Sequence, residues 1–429
     1  MFWNCSNRLF LGLALTACIF QWGCGDHESA TSPAPPEKTP TARETVSKTS
    51  SEPDALASET AANEAPPESI QGPTAESDES QPAMKIESSS FGTTPDGEEI
   101  TLYSCTNVNG LLVSLINYGA IVVRVETPDR DGNLANINLG FPTLEGYLGS
   151  HPHFGSTIGR FCNRIAKGKF SLDGREYTLA TNNGENHLHG GVVGFNKHVW
   201  KAEEIKTDSA VGIRFTRRSV ADEERYPGNL DVAVAYTLTN DNALRIEFTA
   251  TSDKATPVNL TNHNYWNLAG ADAGKVLDHE VTIASDHYLA VDEGLIPTGK
   301  LLPVADTPLD FVAAHKLGER IKKINADPQG YDHCYVLRGQ DGKLALAASV
   351  KDPASGRVME IHTTQPGIQL YTGNFLDGTE GNGGFNQHEA FCLETQHYPD
   401  SPNQLEFPSS ILKPGETFHQ VTVHKFSAE

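Results

Sequence analysis

The chain has 429 residues and a formal charge of −22, with 55 acidic against 33 basic side chains. So acidic a surface repels a phosphate backbone and excludes nucleic acid as a partner. Seven cysteines in this length, without a CxxC pair, exclude a zinc-ribbon or dithiol redox centre.

The chain changes character along its length. Residues 9–23 are mostly apolar and follow the single basic residue Arg8, which reads as the apolar core of a secretory signal and is short for a membrane span. Within it, Leu15-Thr16-Ala17-Cys18 resembles a lipobox, which would make Cys18 the lipidated residue. Cys24, preceded by Gln21-Trp22-Gly23, fits that pattern less well. Residues 1–24 are therefore read as an export segment, and the expected location is the periplasm or a membrane to which the lipoprotein is anchored. Residues 25–88 are rich in Ser, Thr, Pro, Ala and Glu and lack aromatic side chains. Such a segment buries too little apolar surface to offset its ordering entropy, so it is expected to be a disordered acidic tether.

From 89 to 429 the composition is globular, and roughly 340 residues suffice for one large domain. Period-2 patterning dominates, as in 111–116, 120–125, 232–238 and 243–250. Turn residues bound these runs at 128–133, at Asp173-Gly174 and at 240–242. Helical periodicity is scarce, with 313–321 the best short case. No fixed-period repeat suggests a propeller. The expected fold is all-β, a large antiparallel β-sandwich. Cys105, Cys162, Cys334 and Cys392 lie in this part and read as isolated buried thiols, with disulfides left open.

Four polar clusters are denser in functional side chains than a sandwich requires: 159–165, 182–191, 258–268 and 394–402. Shorter pieces lie at 331–333 and 366–374. Each has a structural reading. His187 and His189 alternate on a strand, so only one faces a given side. His151 and His153 share that ambiguity, Arg164 suits a sheet-edge ion pair, and 129–133 suits a hairpin turn better than a calcium loop. Together the Asn, His, Arg, Asp, Gln and Glu side chains supply the directed donors and acceptors a polyol needs. Phe161, Tyr265 and Trp266 are expected to pack against a sugar's apolar face. With no HExxH motif, phosphate loop or nucleophile elbow, acid–base chemistry by histidine and carboxylate is the remaining catalytic option.

At these clusters the sequence resembles the aldose 1-epimerase (galactose mutarotase) family. Gly159-Arg160-Phe161-Cys162-Asn163-Arg164-Ile165, Asn186-His187-Leu188-His189-Gly190-Gly191, Asn259-Leu260-Thr261-Asn262-His263 and Glu394-Thr395-Gln396 match its motifs in order. The similarity spans about 90–426. The resemblance implies the mutarotase supersandwich fold and interconversion of the α and β anomers of a free glucose- or galactose-type aldose. It implies neither cofactor nor metal. It makes Glu394 the base at the C1 hydroxyl and His263 the acid at the ring oxygen, with Asn163, Arg164, His189, Asp332 and Gln369 binding the sugar. An acid role asks that His263 be protonated, so a nearby carboxylate, with Asp332 the candidate, is expected to hold its pKa up. A monomer is expected. The alternatives are a non-catalytic sugar-binding module and an epimerase of hexose 6-phosphates, for which extra basic residues near the site would be needed.

Overall fold

The computed structural model describes residues 83–339 and 341–429. The export segment at 1–24 and nearly all of the 25–88 tether lie outside the described residues.

The first sheet is a five-stranded antiparallel meander of Lys85–Thr93, Glu99–Thr106, Leu112–Ile116, Ile121–Pro128 and Leu134–Asn136. Its first strand starts at Lys85, ahead of the boundary at 89 expected from composition. This strand is polar and mostly exposed, and it is held by backbone pairing from Lys85 opposite Thr106 to Thr93 opposite Glu99. Edge strands can be formed by ladder hydrogen bonds alone, which composition does not register. The last turn of the meander closes as expected of a hairpin, with Asp129 Oδ1 accepting from the backbone N–H groups of Asp131 and Asn133.

The largest sheet has nine strands. In spatial order they are Lys201–Lys206, Ala210–Ser219, Leu230–Thr239, Ala243–Ser252, Phe418–Ala428, Arg357–Thr363, Ala345–Lys351, Glu280–Ile283 and His315–Lys316. The C-terminal strand enters its middle and joins two parts of the sheet distant in sequence. A second five-stranded sheet runs in the order Pro297–Pro303, Ser285–Val291, Asp332–Leu337, Gly367–Tyr371 and Cys392–Gln396. One contiguous apolar cluster joins these three larger sheets. It contains Val113 and Leu115 of the meander, Val234, Phe248 and Ile361 of the large sheet, and Tyr335, Ile368 and Leu393 of the second five-stranded sheet. Each fully buried side chain of this kind contributes about 1.5–3 kcal/mol. The one helical turn in 313–321 is Leu317–Arg320. The protein is an all-β sandwich of antiparallel sheets.

Alternation along the second five-stranded sheet positions the functional side chains. Ile368, Leu370 and Leu393 face the core. The intervening residues Gln369, Tyr371, Cys392 and Glu394 therefore face the other way. Gln369 is directly opposite Glu394, and Cys334 opposite Gln369. Reading period 2 through 366–374 and 392–396 is thus enough to gather a carboxylate, an amide and a thiol on one face.

Candidate active site

Three further segments close over that face. His263 ends the short strand Thr261–His263, which pairs with Ser156–Ile158. Asn163 and Arg164 lead into a two-residue strand whose partner, His187–Leu188, delivers His189. Asn163 and His189 both have left-handed backbone conformations, at φ 60° and 52°. These kinks adjoin the paired ends of the two short strands, Arg164 opposite Leu188, and bring Asn163 and His189 side by side.

The seven residues expected at the site form a connected set. Glu394 Oε2 lies 3.6 Å from Nε2 of His263. Gln369 Nε2 donates to Asp332 Oδ1 at 2.6 Å. The rings of His263 and His189 have centroids 5.2 Å apart, and the backbone N–H of Asn163 donates to His189 Nδ1 at 3.2 Å. Arg164 donates through Nε to Asn183 Oδ1 and exerts its charge on Glu394. Glu394 and His263 are 3% and 5% exposed, so solvent screens neither. Among the described residues, Glu394 Oε2 and Gln369 Oε1 have no hydrogen-bond partner although both are buried. Buried acceptors of this kind suit a ligand rich in hydroxyls. A cleft of about 960 Å³ opens over Arg164 and Asp332 and includes Asn186, His333 and the exposed ring of Phe375.

Electrostatics correct the expectation for His263. Burial, followed by the charge of His153, pushes its pKa down to about 3. Asp332 does not hold it up, because that carboxylate is bonded to Gln369 and acts instead on Glu394. Burial and then Asp332 raise Glu394 to about 8, partly offset by Arg164. At 3.6 Å an ion pair would attract, but desolvation of both partners opposes it. The resting pair is therefore a protonated carboxyl beside a neutral imidazole.

Sequence reading did not weight His153. Its ring stacks on His263 at 6.0 Å and meets His189 at 5.0 Å. Burial also lowers this histidine, to about 4. The alternation of His151 and His153 was the available signal, and it did not say which ring turns inward. Cys392 was read only as a buried thiol, yet its Sγ lies 3.6 Å from His263 Nδ1. Cys105, Cys162, Cys334 and Cys392 are all free and buried.

Other motif residues serve the scaffold. Arg160 is 2% exposed and donates to Ser219 Oγ and to the carbonyls of Ser219, Val220, Pro227 and Gly228. His187 contacts Tyr226 Oη and the Ala180 carbonyl, away from His189. The expectation that Phe161 and Trp266 pack against a sugar is corrected. Phe161 is fully buried with Ile165 and Phe170, and Trp266 packs on His424 and Phe426. Tyr265 is buried too, its ring stacked on His263 at 5.1 Å and 13°.

His189, His263 and Glu394 bring donor atoms within 4.8 Å of one another, a spacing compatible with a cation. The hydrogen bond to His189 argues for a different use. Its Nδ1 accepts a backbone N–H, so in the neutral ring Nε2 carries the proton and is the ring's donor. A metal ligand shows the reverse arrangement, donating its outer nitrogen to an acceptor.

The family described as aldose 1-epimerase matches residues 101–425, which include all seven site residues. The chain belongs to the aldose 1-epimerase family. It is 46% identical to human galactose mutarotase over 344 residues, covering 79% of this chain and 97% of that protein. Aldose 1-epimerase of Escherichia coli K12 is 36% identical over 343 residues, covering 78% and 97%. Among solved structures, an aldose epimerase homologue from C. elegans superposes with a TM-score of 0.70 at 30% identity, covering 81% of this chain and 99% of that one. The galactose 1-epimerase of Lactobacillus acidophilus gives 0.71 at 27%, with the same coverage. Epimerase relatives thus share both the fold and nearly the whole length of the described domain.

Proposed function

We propose that the protein interconverts the α and β anomers of free aldoses by acid–base ring opening, with Glu394 and His263 exchanging protons with the sugar. The buried Glu394–His263 pair carries this reading. Glu394 carboxylate takes the proton of the C1 hydroxyl, whose electrons form the carbonyl as the C1–O5 bond breaks. O5 receives a proton from Nε2 of His263. After rotation about C1–C2, His263 takes that proton back, O5 attacks the other face of C1, and Glu394 returns its proton to O1. Protons and electrons balance over the cycle.

The pKa displacements suit this exchange. A carboxylate raised toward 8 is a strong base for the C1 hydroxyl, and an imidazolium lowered toward 3 is a strong acid for O5. Opening the ring converts a desolvated ion pair into its neutral form, the form that burial favours. Each proton transfer is worth about 10²–10⁴-fold in rate. His189 Nε2–H, Asn163, Arg164, Asp332 and Gln369 supply donors and acceptors for the hydroxyls. The intact acid–base pair favours catalysis over a binding module, and the acidic mouth of the cleft, with Glu185, Asp292 and Glu293, disfavours a phosphorylated sugar.

The test is the optical rotation of freshly dissolved α-D-glucose and α-D-galactose with and without the full chain. Acceleration is expected for at least one, and decay at the buffer rate for both, and for arabinose and xylose, overturns the reading. Export and lipidation at Cys18 are part of the same proposal, motivated by the apolar stretch and Leu15-Thr16-Ala17-Cys18. Radiolabelled fatty acid is expected in the membrane fraction and lost in Cys18→Ser. Incorporation that survives in this variant but is lost in Cys24→Ser moves the anchor to Cys24, and none in the parent removes it. A monomer is proposed, for sedimentation to check.

A further inference from the structure

A catalytic imidazole needs one nitrogen for proton exchange and something to govern the other. Nε2 of His263 faces Glu394, as above. On the far side of the ring, Nδ1 faces the sulfur of Cys392 at 3.6 Å. Cys392 and Glu394 project from the same face of one strand, so a single element holds a group on each side of the histidine. The ring has little freedom to turn, with Tyr265 stacked on it at 5.1 Å, His153 at 6.0 Å and His189 at 5.2 Å.

We propose that Cys392 is a positioning residue whose sulfur accepts the Nδ1–H of His263, leaving Nε2 as the nitrogen that exchanges protons with Glu394 and the sugar. The assignment rests on the reaction proposed above. Nε2 is the ring nitrogen that faces Glu394, at 3.6 Å from Oε2, so the neutral ring is assigned its proton on Nδ1, beside the sulfur. Nδ1 keeps that proton in both charge states of His263, and the sulfur holds it alongside the residue's own backbone carbonyl, which also favours the charged ring. A neutral sulfur serves for both. Burial keeps Cys392 a thiol, its pKa well above the ordinary value, opposed only in small part by the neighbouring Tyr265 hydroxyl. A carboxylate in that place would stabilise the imidazolium and weaken it as an acid. The weakly accepting sulfur orients the ring without doing so.

The test uses the full chain labelled with ¹⁵N in its histidine rings, with His263 assigned by the signal lost in His263→Gln. At neutral pH the His263 ring is expected to carry its proton on Nδ1, with Nε2 unprotonated; a proton on Nε2 overturns the proposal. Kinetics give a second readout. Cys392→Ala is expected to lower kcat at least tenfold with KM within about twofold, and Cys392→Ser, whose hydroxyl also accepts, to recover most of the loss. An alanine variant with parental kcat, or a serine variant as impaired as alanine, refutes it. If the alanine variant does not fold, the spectrum of the parent still decides. Full activity in His263→Gln would instead defeat the reaction scheme, so the two failures are distinguishable.

Discussion

Glu394 Oε2 and His263 Nε2 face each other across 3.6 Å, and both side chains are almost wholly withdrawn from solvent. The carboxyl is raised and the imidazole lowered, mainly by burial, so between their two transitions the pair holds one proton. Strongly interacting neighbours titrate as a unit, and the activity of the site follows the occupancy of that unit.

The first prediction concerns pH. With one proton the pair can form the carboxylate–imidazolium state that opens the ring. As pH rises through about 8 that proton is lost, leaving a carboxylate and a neutral imidazole with no acid for O5. Enzymatic kcat/KM, corrected for the buffer reaction, is expected to hold from mildly acidic to neutral pH. It should then fall about tenfold per unit above the transition. On the acid side a second proton enters only near pH 3. A profile governed by an ordinary histidine, rising through pH 6.5, contradicts the assignment.

Glu394→Gln separates function from stability. The native state holds a proton on Glu394 that the unfolded chain releases above its ordinary value of 4.5. Stability contributed by that raised pKa therefore declines as pH rises from about 4.5 to about 8, and glutamine removes this dependence. The variant is expected to lose about 10²–10⁴-fold in kcat while its Tm at pH 8 matches or exceeds that of the parent. Calorimetry and polarimetry on one preparation check both. A large fall in Tm would mean that Glu394 supports the fold as well as the chemistry.

Much of this was legible in the sequence, for a physical reason. Alternation at 366–374 and 392–396 encodes which side chains share a face, so Gln369 and Glu394 can be paired once they are placed on strands. The motif clusters identify Asn163, Arg164, His189 and His263 because these residue types are poorly suited to burial unless they have partners. What stayed hidden depends on contacts between distant segments. His153 reaches the catalytic rings through a loop of left-handed conformation at φ 65°, and no period describes such a loop. The sign of the His263 shift depends on how deeply it is enclosed, and enclosure comes from Tyr265, His153 and the sheet together. Aromatic content misled for the same reason: Phe161 and Trp266 sit beside motif residues in sequence and turn into the core.

Asp332→Asn tests the electrostatic coupling. Asp332 is the second cause of the raised Glu394 pKa, after burial. Asparagine keeps an oxygen for the Gln369 amide, so the hydrogen bond can persist while the charge is removed. The alkaline limb of the activity profile is expected to move to lower pH, with KM raised by loss of a sugar acceptor. An unmoved limb would show that burial alone sets the Glu394 transition.

Arg160 and Arg164 lie four positions apart and are predicted to fail in opposite ways. Arg160 is buried among carbonyls of Ser219, Val220, Pro227 and Gly228 and tethers their loop to the 159–165 segment. Its replacement by methionine leaves several buried acceptors unpaired, at about 1–3 kcal/mol each. Arg160→Met is therefore expected to lower Tm strongly and to reduce activity mainly through the loss of folded protein. Arg164 lines the cleft, and among the described residues its side chain donates to Asn183 Oδ1 alone. Arg164→Met should fold with nearly parental Tm but bind sugar at least tenfold more weakly. Because Arg164 opposes the rise of the Glu394 pKa, its removal should also carry the alkaline limb upward, the reverse of Asp332→Asn. Opposite displacements of one transition by two residues whose charges act on the same carboxyl would tie the pH profile to Glu394.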